Sequence, residues 1–161
     1  MNWDAIGAVG EILGALAVFL SLAYLAIQTR QNTQALRSAA FHQVRDSFAE
    51  VSLVMAQSPE LVELLARAIR NEDLTFEEEL QVSFIFTTIA RKGESAYFQA
   101  NEGTLQQESW LGIRSTVVMI LSSLRGLAWL DTTGDRFTSN YISDIKAEAL
   151  KRRPANGGSG T

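Results

Sequence analysis

Between Ala5 and Ile27 the chain carries one charged side chain, Glu11, in an otherwise uncharged run of 23 residues. A carboxylate held away from water is costly unless it is protonated, paired or hydrated. That leaves two kinds of chemistry. Copies of Glu11 in an oligomer could form a ring that handles protons or cations. Alternatively, a neutral Glu11 carboxyl could hydrogen-bond a neighbouring helix, or the side chain could reach up to a polar interface. The sequence favours the structural use and keeps Glu11 as the one candidate ion or proton site.

The other chemically capable residues form no catalytic pattern. His42 is the only histidine, and it lacks a matched acid and nucleophile at recognisable spacing. Glu77, Glu78 and Glu79 are contiguous, so on a helix they fan apart toward water. Arg91, Lys92 and Glu94 interrupt an apolar pattern. They are expected to form a surface salt bridge, with a buried pair or a binding site shared with Glu102 as the alternatives. The absence of cysteine removes disulfides, thiolate catalysis and cysteine-ligated metal. No Walker loop, dinucleotide loop, zinc-protease motif, EF-hand loop or nucleophile elbow occurs. No catalytic residue, metal ligand or cofactor is therefore expected. The net charge of −4 offers no overall basic field for nucleic acid.

The element that must position Glu11 is a long apolar helix. Ala5 to Ile27 would extend about 34 Å as an α-helix, enough for a hydrocarbon core of about 30 Å. Soluble helices apolar on every side are uncommon at this length. A cleaved signal peptide would want a basic start, and Met1-Asn2-Trp3-Asp4 has none. Asp4 precedes the run, whereas Arg30, Arg37 and Arg45 follow it. This bias places the C-terminal part in the cytoplasm. Trp3 and Tyr24 lie near the two ends, as interfacial aromatics do.

At 100° per residue, Gly7, Gly10, Glu11, Gly14, Ala17, Ser21 and Gln28 share one face. Leu13, Leu16, Phe19, Leu20 and Ile27 share the other, with Ile12 at its edge. Small residues let helix backbones approach closely in lipid. Gly7, Gly10, Glu11, Gly14, Ala17 and Ser21 are thus the expected transmembrane interface, with a second copy or another membrane protein as partner.

Behind the run, the sequence predicts an all-α fold. One transmembrane helix continues into a cytoplasmic bundle of about four to five helices. Residues 1–30 form the anchor, 31–151 the helical domain and 152–161 a disordered tail. Arg30 to Gln57 contains no proline or glycine, so the first helix should run on, with Phe41, Val44, Phe48, Val51 and Met55 as a heptad-like seam. Ser58-Pro59-Glu60 opens a second helix whose apolar face is Leu61, Leu64, Leu65, Ala68 and Ile69. Thr75 and Glu78 form a capping box for a third helix bearing Leu80, Phe84, Ile85, Ile89 and Tyr97. Thr104 and Gln107 suggest a second box for a fourth helix with Trp110, Ile113, Val117, Leu121 and Leu124. A turn from Gly126 to Leu130 brings Trp129 inward, and Asp131 to Asp135 reads as a loop. A last helix, about Ser139 to Lys151, places Tyr141, Ile142 and Ile145 inward.

Two segments, Asn2-Trp3-Asp4-Ala5-Ile6-Gly7-Ala8-Val9-Gly10-Glu11 and Tyr24-Leu25-Ala26-Ile27-Gln28-Thr29-Arg30-Gln31-Asn32-Thr33, carry a resemblance that Trp129 and Phe137 to Tyr141 extend. On these residues the chain resembles an uncharacterised group of small bacterial single-span membrane proteins. The resemblance implies a bacterial inner-membrane setting and transfers no activity. The leading expectation is a membrane-anchored interaction or scaffold protein, self-associating or serving as an accessory subunit. The alternatives are an oligomeric channel built on Glu11 and a membrane-tethered enzyme with a site of unrecognised type.

Overall fold

A computed structural model describes residues 3–152, apart from the side chains of residues 4–6. The tail expected to be disordered therefore lies outside the described residues, except for Arg152. Among the described residues the structure is helical and has no strand. The elements are α1 (Trp3–Gln57), α2 (Pro59–Ile69), α3 (Phe76–Asn101), α4 (Gln107–Leu121), α5 (Leu124–Thr133) and α6 (Ser139–Arg152), with a 3-10 turn at Gly134–Arg136. By compactness the chain divides into two units, Met1–Ala39 and Ala40–Thr161.

The first unit is helical throughout its described length, and every side chain described in it is exposed. The second contains the core. Its part of α1 contributes the expected seam: Val44 is buried, Phe48, Val51 and Met55 are half-buried, and Phe41 is exposed. Ser58 caps α2, accepting from the Leu61 N–H, and Pro59 follows where a missing N–H costs nothing. Leu64 and Ala68 are buried, while Ile69 is exposed.

The capping box at α3 forms as the sequence predicts. The Glu78 N–H donates to Thr75 Oγ1, and the Thr75 N–H donates to Glu78 Oε2 at 2.8 Å. Glu78 also receives Arg67 at 2.6 Å. That hydrogen bond, joined by the Thr75 N–H, holds the Glu78 carboxyl below the usual carboxylate range.

The buried face of α3 matches the expected one in part: Ile89 is buried, and Ile85 and Tyr97 are half-buried against the core. Leu80 and Phe84 are exposed, and the inward stripe is Val82, Phe86, Ile89, Ala90, Gly93, Ala96 and Ala100. The small residues on that stripe let α4 and α6 approach, and Tyr141 of α6 fills the space they leave. A Cβ on Gly93 would run into the Tyr141 hydroxyl and come within 2.9 Å of Val117 Cγ2. Side-chain size alone therefore misplaced Leu80 and Phe84 and missed the small residues, because close helix packing puts small residues inside.

Three further boundaries depart from expectation. Thr104 does not cap α4: its hydroxyl donates to the Gln99 carbonyl, closing the end of α3, and Gln106 holds the N-cap position without a side-chain bond. The segment from Gly126 to Leu130 is no turn but the middle of α5, capped by Ser123. Asp131 to Thr133 complete that helix, and only Gly134 onward leaves it. Leu124 consequently belongs to α5 and is exposed. Between α4 and α5 the axis bends by 104°. Gly126 makes that bend possible, since a Cβ there would lie 2.6 Å from the Leu121 carbonyl oxygen.

Two aromatic groups fill the bundle. Tyr97, Trp110 and Tyr141 have ring centroids 5.5 to 6.2 Å apart. Trp129 lies 5.9 Å from Phe86 and 5.8 Å from Phe137, and its indole N–H donates to Ser83 Oγ. Such pairs add about 0.5–1.5 kcal/mol each beyond the area they bury. Ion pairs fix the helices from outside. Arg114 of α4 grips Asp144 of α6 through two bonds of 2.6 Å. Arg125 of α5 donates to the Ala68 and Glu72 carbonyls at the end of α2 and pairs with Glu79.

Candidate membrane and association face

The six residues expected to form an interface all lie on α1 in continuous helix, so the 3-4 spacing does bring Gly7, Gly10, Glu11, Gly14, Ala17 and Ser21 to one face. All six are exposed. A Cβ added at Gly7, Gly10 or Gly14 would meet nothing within 4 Å, so the three glycines mark open, shallow helix surface. Ser21 Oγ donates to the Ala17 carbonyl at 2.8 Å. This back-bond satisfies the hydroxyl within its own helix. Thr29 and Thr33 do the same with the Leu25 and Thr29 carbonyls.

The opposite face is exposed and apolar. Ile12, Leu13, Leu16, Phe19, Leu20 and Ile27 each leave more than half their surface uncovered. The most apolar 18-residue window of this helix has a mean hydropathy of 2.0, and none of it is buried. The helix is therefore long and apolar enough to cross a membrane, and its apolar window is not buried.

A second polar grouping lies in the bundle, and there the sequence misled. Arg91 and Glu94 pair at 2.8 Å, as the spacing suggests, but Glu94 is only 8% exposed. Its other carboxylate oxygen accepts the Thr138 N–H at 2.6 Å. Arg91 also donates to the Arg136 carbonyl, and its guanidinium lies 4.2 Å from the Phe137 ring centroid. Burial pushes the Glu94 carboxyl up, but the Thr138 and Arg91 hydrogen bonds together outweigh it and hold its pKa below the ordinary value. The arrangement thus ties α3 to the start of α6. Glu102 takes no part; it is exposed and caps the end of α3. One signal could have revealed the burial: Glu94 directly follows Gly93 and lies among Ala90, Ala96 and Ala100, on the tightly packed side of α3.

The remaining candidates are surface residues. His42 is exposed beside Phe41, 5.8 Å between ring centroids. Glu77 and Glu79 are exposed, and Glu78 is committed to its cap and to Arg67. Among the described residues no group of three or more His, Asp or Glu side chains converges as metal ligands do. Comparison with protein-family models, with curated proteins and with solved structures found no match.

Proposed function

We propose that the chain is a single-pass membrane protein that serves as an interaction or scaffold module and self-associates through its N-terminal helix. The observation that carries this reading is the uncovered apolar surface of α1, with none of its most apolar window buried. Exposing that surface to water would forgo about 25 cal/mol for each Å², whereas lipid accepts it without loss. The glycine stripe supports association, because in a bilayer close backbone approach and packing join helices.

The arginine bias behind the span supports a cytoplasmic helical domain. The likeness to small bacterial single-span proteins supports the bacterial inner membrane as the setting. The bilayer and a second copy, or another membrane protein, are the proposed partners. Topology is the direct test. A reporter active only in the cytoplasm, fused after Thr161, should give activity. Activity solely from a periplasm-specific reporter would reverse the orientation, and a chain extracted from membranes by carbonate would remove the anchor.

Glu11 supports a second reading, a proton- or cation-handling oligomer, since the stripe would gather its copies. Wild-type protein in liposomes should then conduct more than empty liposomes, and Glu11→Gln should abolish the dependence on pH. Absence of conductance across a pH series would discard that reading.

A further inference from the structure

An open pocket of about 530 Å³ lies between the end of α2, the first half of α3 and α5, within the size range of small-molecule sites. Val82, Phe86 and Trp129 of its lining belong to the core, and the exposed Leu124 adds an apolar wall. Asn71, Ser83 and Thr132 are its uncharged polar groups. Ser83 Oγ accepts the Trp129 indole N–H at 3.1 Å, so its own O–H is left to donate. Thr132 is the reverse case. Its O–H goes to the Ala128 carbonyl at 3.1 Å, which leaves the oxygen to accept.

Asn71 brings a carboxamide to the pocket from a backbone position that favours glycine. It follows α2 with a φ of +58°, the one non-glycine residue in the left-handed region among the described residues. The turn is closed by backbone alone: the Asn71 N–H donates to the Ala68 carbonyl and the Glu72 N–H to the Arg67 carbonyl. The charged residues of the lining are Arg125 and Glu79, and they cancel. They pair at 3.0 Å, and Arg125 spends further N–H groups on the Ala68 and Glu72 carbonyls.

We propose that this pocket binds a small, neutral aromatic carboxamide. The ring lies on the apolar lining of Leu124 and Trp129, where a flat π-system packs against an indole. The ligand carbonyl takes the Ser83 O–H, its amide N–H donates to Thr132 Oγ1, and the Asn71 carboxamide offers a donor and an acceptor to the same group. The ligand is neutral because Arg125 and Glu79 already satisfy each other. A further charge brought beside them would lose hydration without gaining a free partner. The site lies in the helical bundle and does not depend on the scaffold reading of α1.

The test titrates benzamide into the full isotope-labelled chain in nanodiscs. It follows the indole N–H signals of Trp3, Trp110 and Trp129, each assigned by its phenylalanine replacement. The Trp129 signal should shift saturably, with a Kd on the order of 1 mM for a ligand of about nine heavy atoms. The Trp110 signal should stay in place. Benzoate, benzylamine and cyclohexanecarboxamide should each bind about tenfold more weakly. Asn71→Gly removes the carboxamide, suits the left-handed backbone and keeps the fold; it should weaken benzamide about fivefold. Ala128→Trp, which fills the pocket from an exposed position of α5, should abolish the shift. Melting curves establish that both variants fold. No saturable shift of Trp129, equal binding of all the compounds, or binding unchanged in both variants overturns the proposal. A shift confined to Trp3 assigns benzamide to α1 and overturns it also.

Discussion

The glycines of α1 and two glycines of the bundle, Gly93 and Gly126, do opposite work. At Gly7, Gly10 and Gly14 the space where a Cβ would sit is open. At Gly93 and Gly126 it is filled, by Tyr141 and Val117 in one case and by the Leu121 backbone in the other. At these two bundle positions glycine is consumed by packing already made within the chain, whereas Gly103 and Gly112 are open. On α1 it leaves surface that nothing in the described residues covers. The same residue type thus marks a finished contact at Gly93 and Gly126 and open surface at Gly7, Gly10 and Gly14. The two cases separate only when the neighbouring helix is known.

This contrast can be broken at several points. The largest effect is expected at Tyr141, which is fully buried against Gly93 and whose hydroxyl donates to the Ala90 carbonyl at 2.9 Å. Tyr141→Ala should cost about 3–5 kcal/mol of stability, read as an earlier urea transition in the near-ultraviolet signal of the tryptophans. A transition at the wild-type midpoint would mean that Gly93 is not a packing glycine.

Glu94→Gln should act next, through pH. The folded carboxyl has a depressed pKa, so its contribution is present above the unfolded value of about 4.3 and is lost as pH falls through the lower folded value. Above pH 5 the variant should be less stable than wild type, by about 1–3 kcal/mol for a charged hydrogen bond lost in a buried site. The two should converge in acid. A constant gap between their unfolding midpoints from neutral pH into acid would refute the assignment.

The glycine stripe sharpens the comparison from the other side. Replacing Gly10 and Gly14 together by Leu should leave the urea transition of the bundle unmoved while weakening self-association about tenfold, measured by energy transfer between labelled copies in bilayers. Leu16→Ala or Leu20→Ala, on the opposite face, should have the smallest effect on that transfer. Unchanged transfer after the double glycine replacement would remove the stripe as the interface.

The elements governed by local chemistry were legible in the sequence. Ser58 with Pro59 and Thr75 with Glu78 start their helices where residue type predicts, because a cap is decided within four residues. The length of α1 followed from the absence of proline and glycine between Arg30 and Gln57. What escaped depended on partners far along the chain. Thr104 has the residue type of a cap, yet its hydroxyl went to the Gln99 carbonyl. Leu80 and Phe84 looked like core by size, but the helices approach α3 along Ala90, Gly93 and Ala96. Glu94 looked solvated because its second partner, the Thr138 N–H, lies 44 residues away. Of the candidate interface, the shared face was readable from spacing alone.

The bond between Arg67 and Glu78 spans only 11 residues, whereas the Tyr141 bond to Ala90 spans 51. Closing the shorter loop sacrifices less chain entropy, so the α2–α3 hairpin can form while the chain that will become α6 is still inside the ribosome. The early hairpin would carry its small-residue face of Ala90, Gly93 and Ala96 unfilled until Tyr141 emerges. Arrested nascent chains ending near Leu130 should therefore already protect the amides around Glu78 from hydrogen exchange, and those around Gly93 should gain protection only after α6 is released.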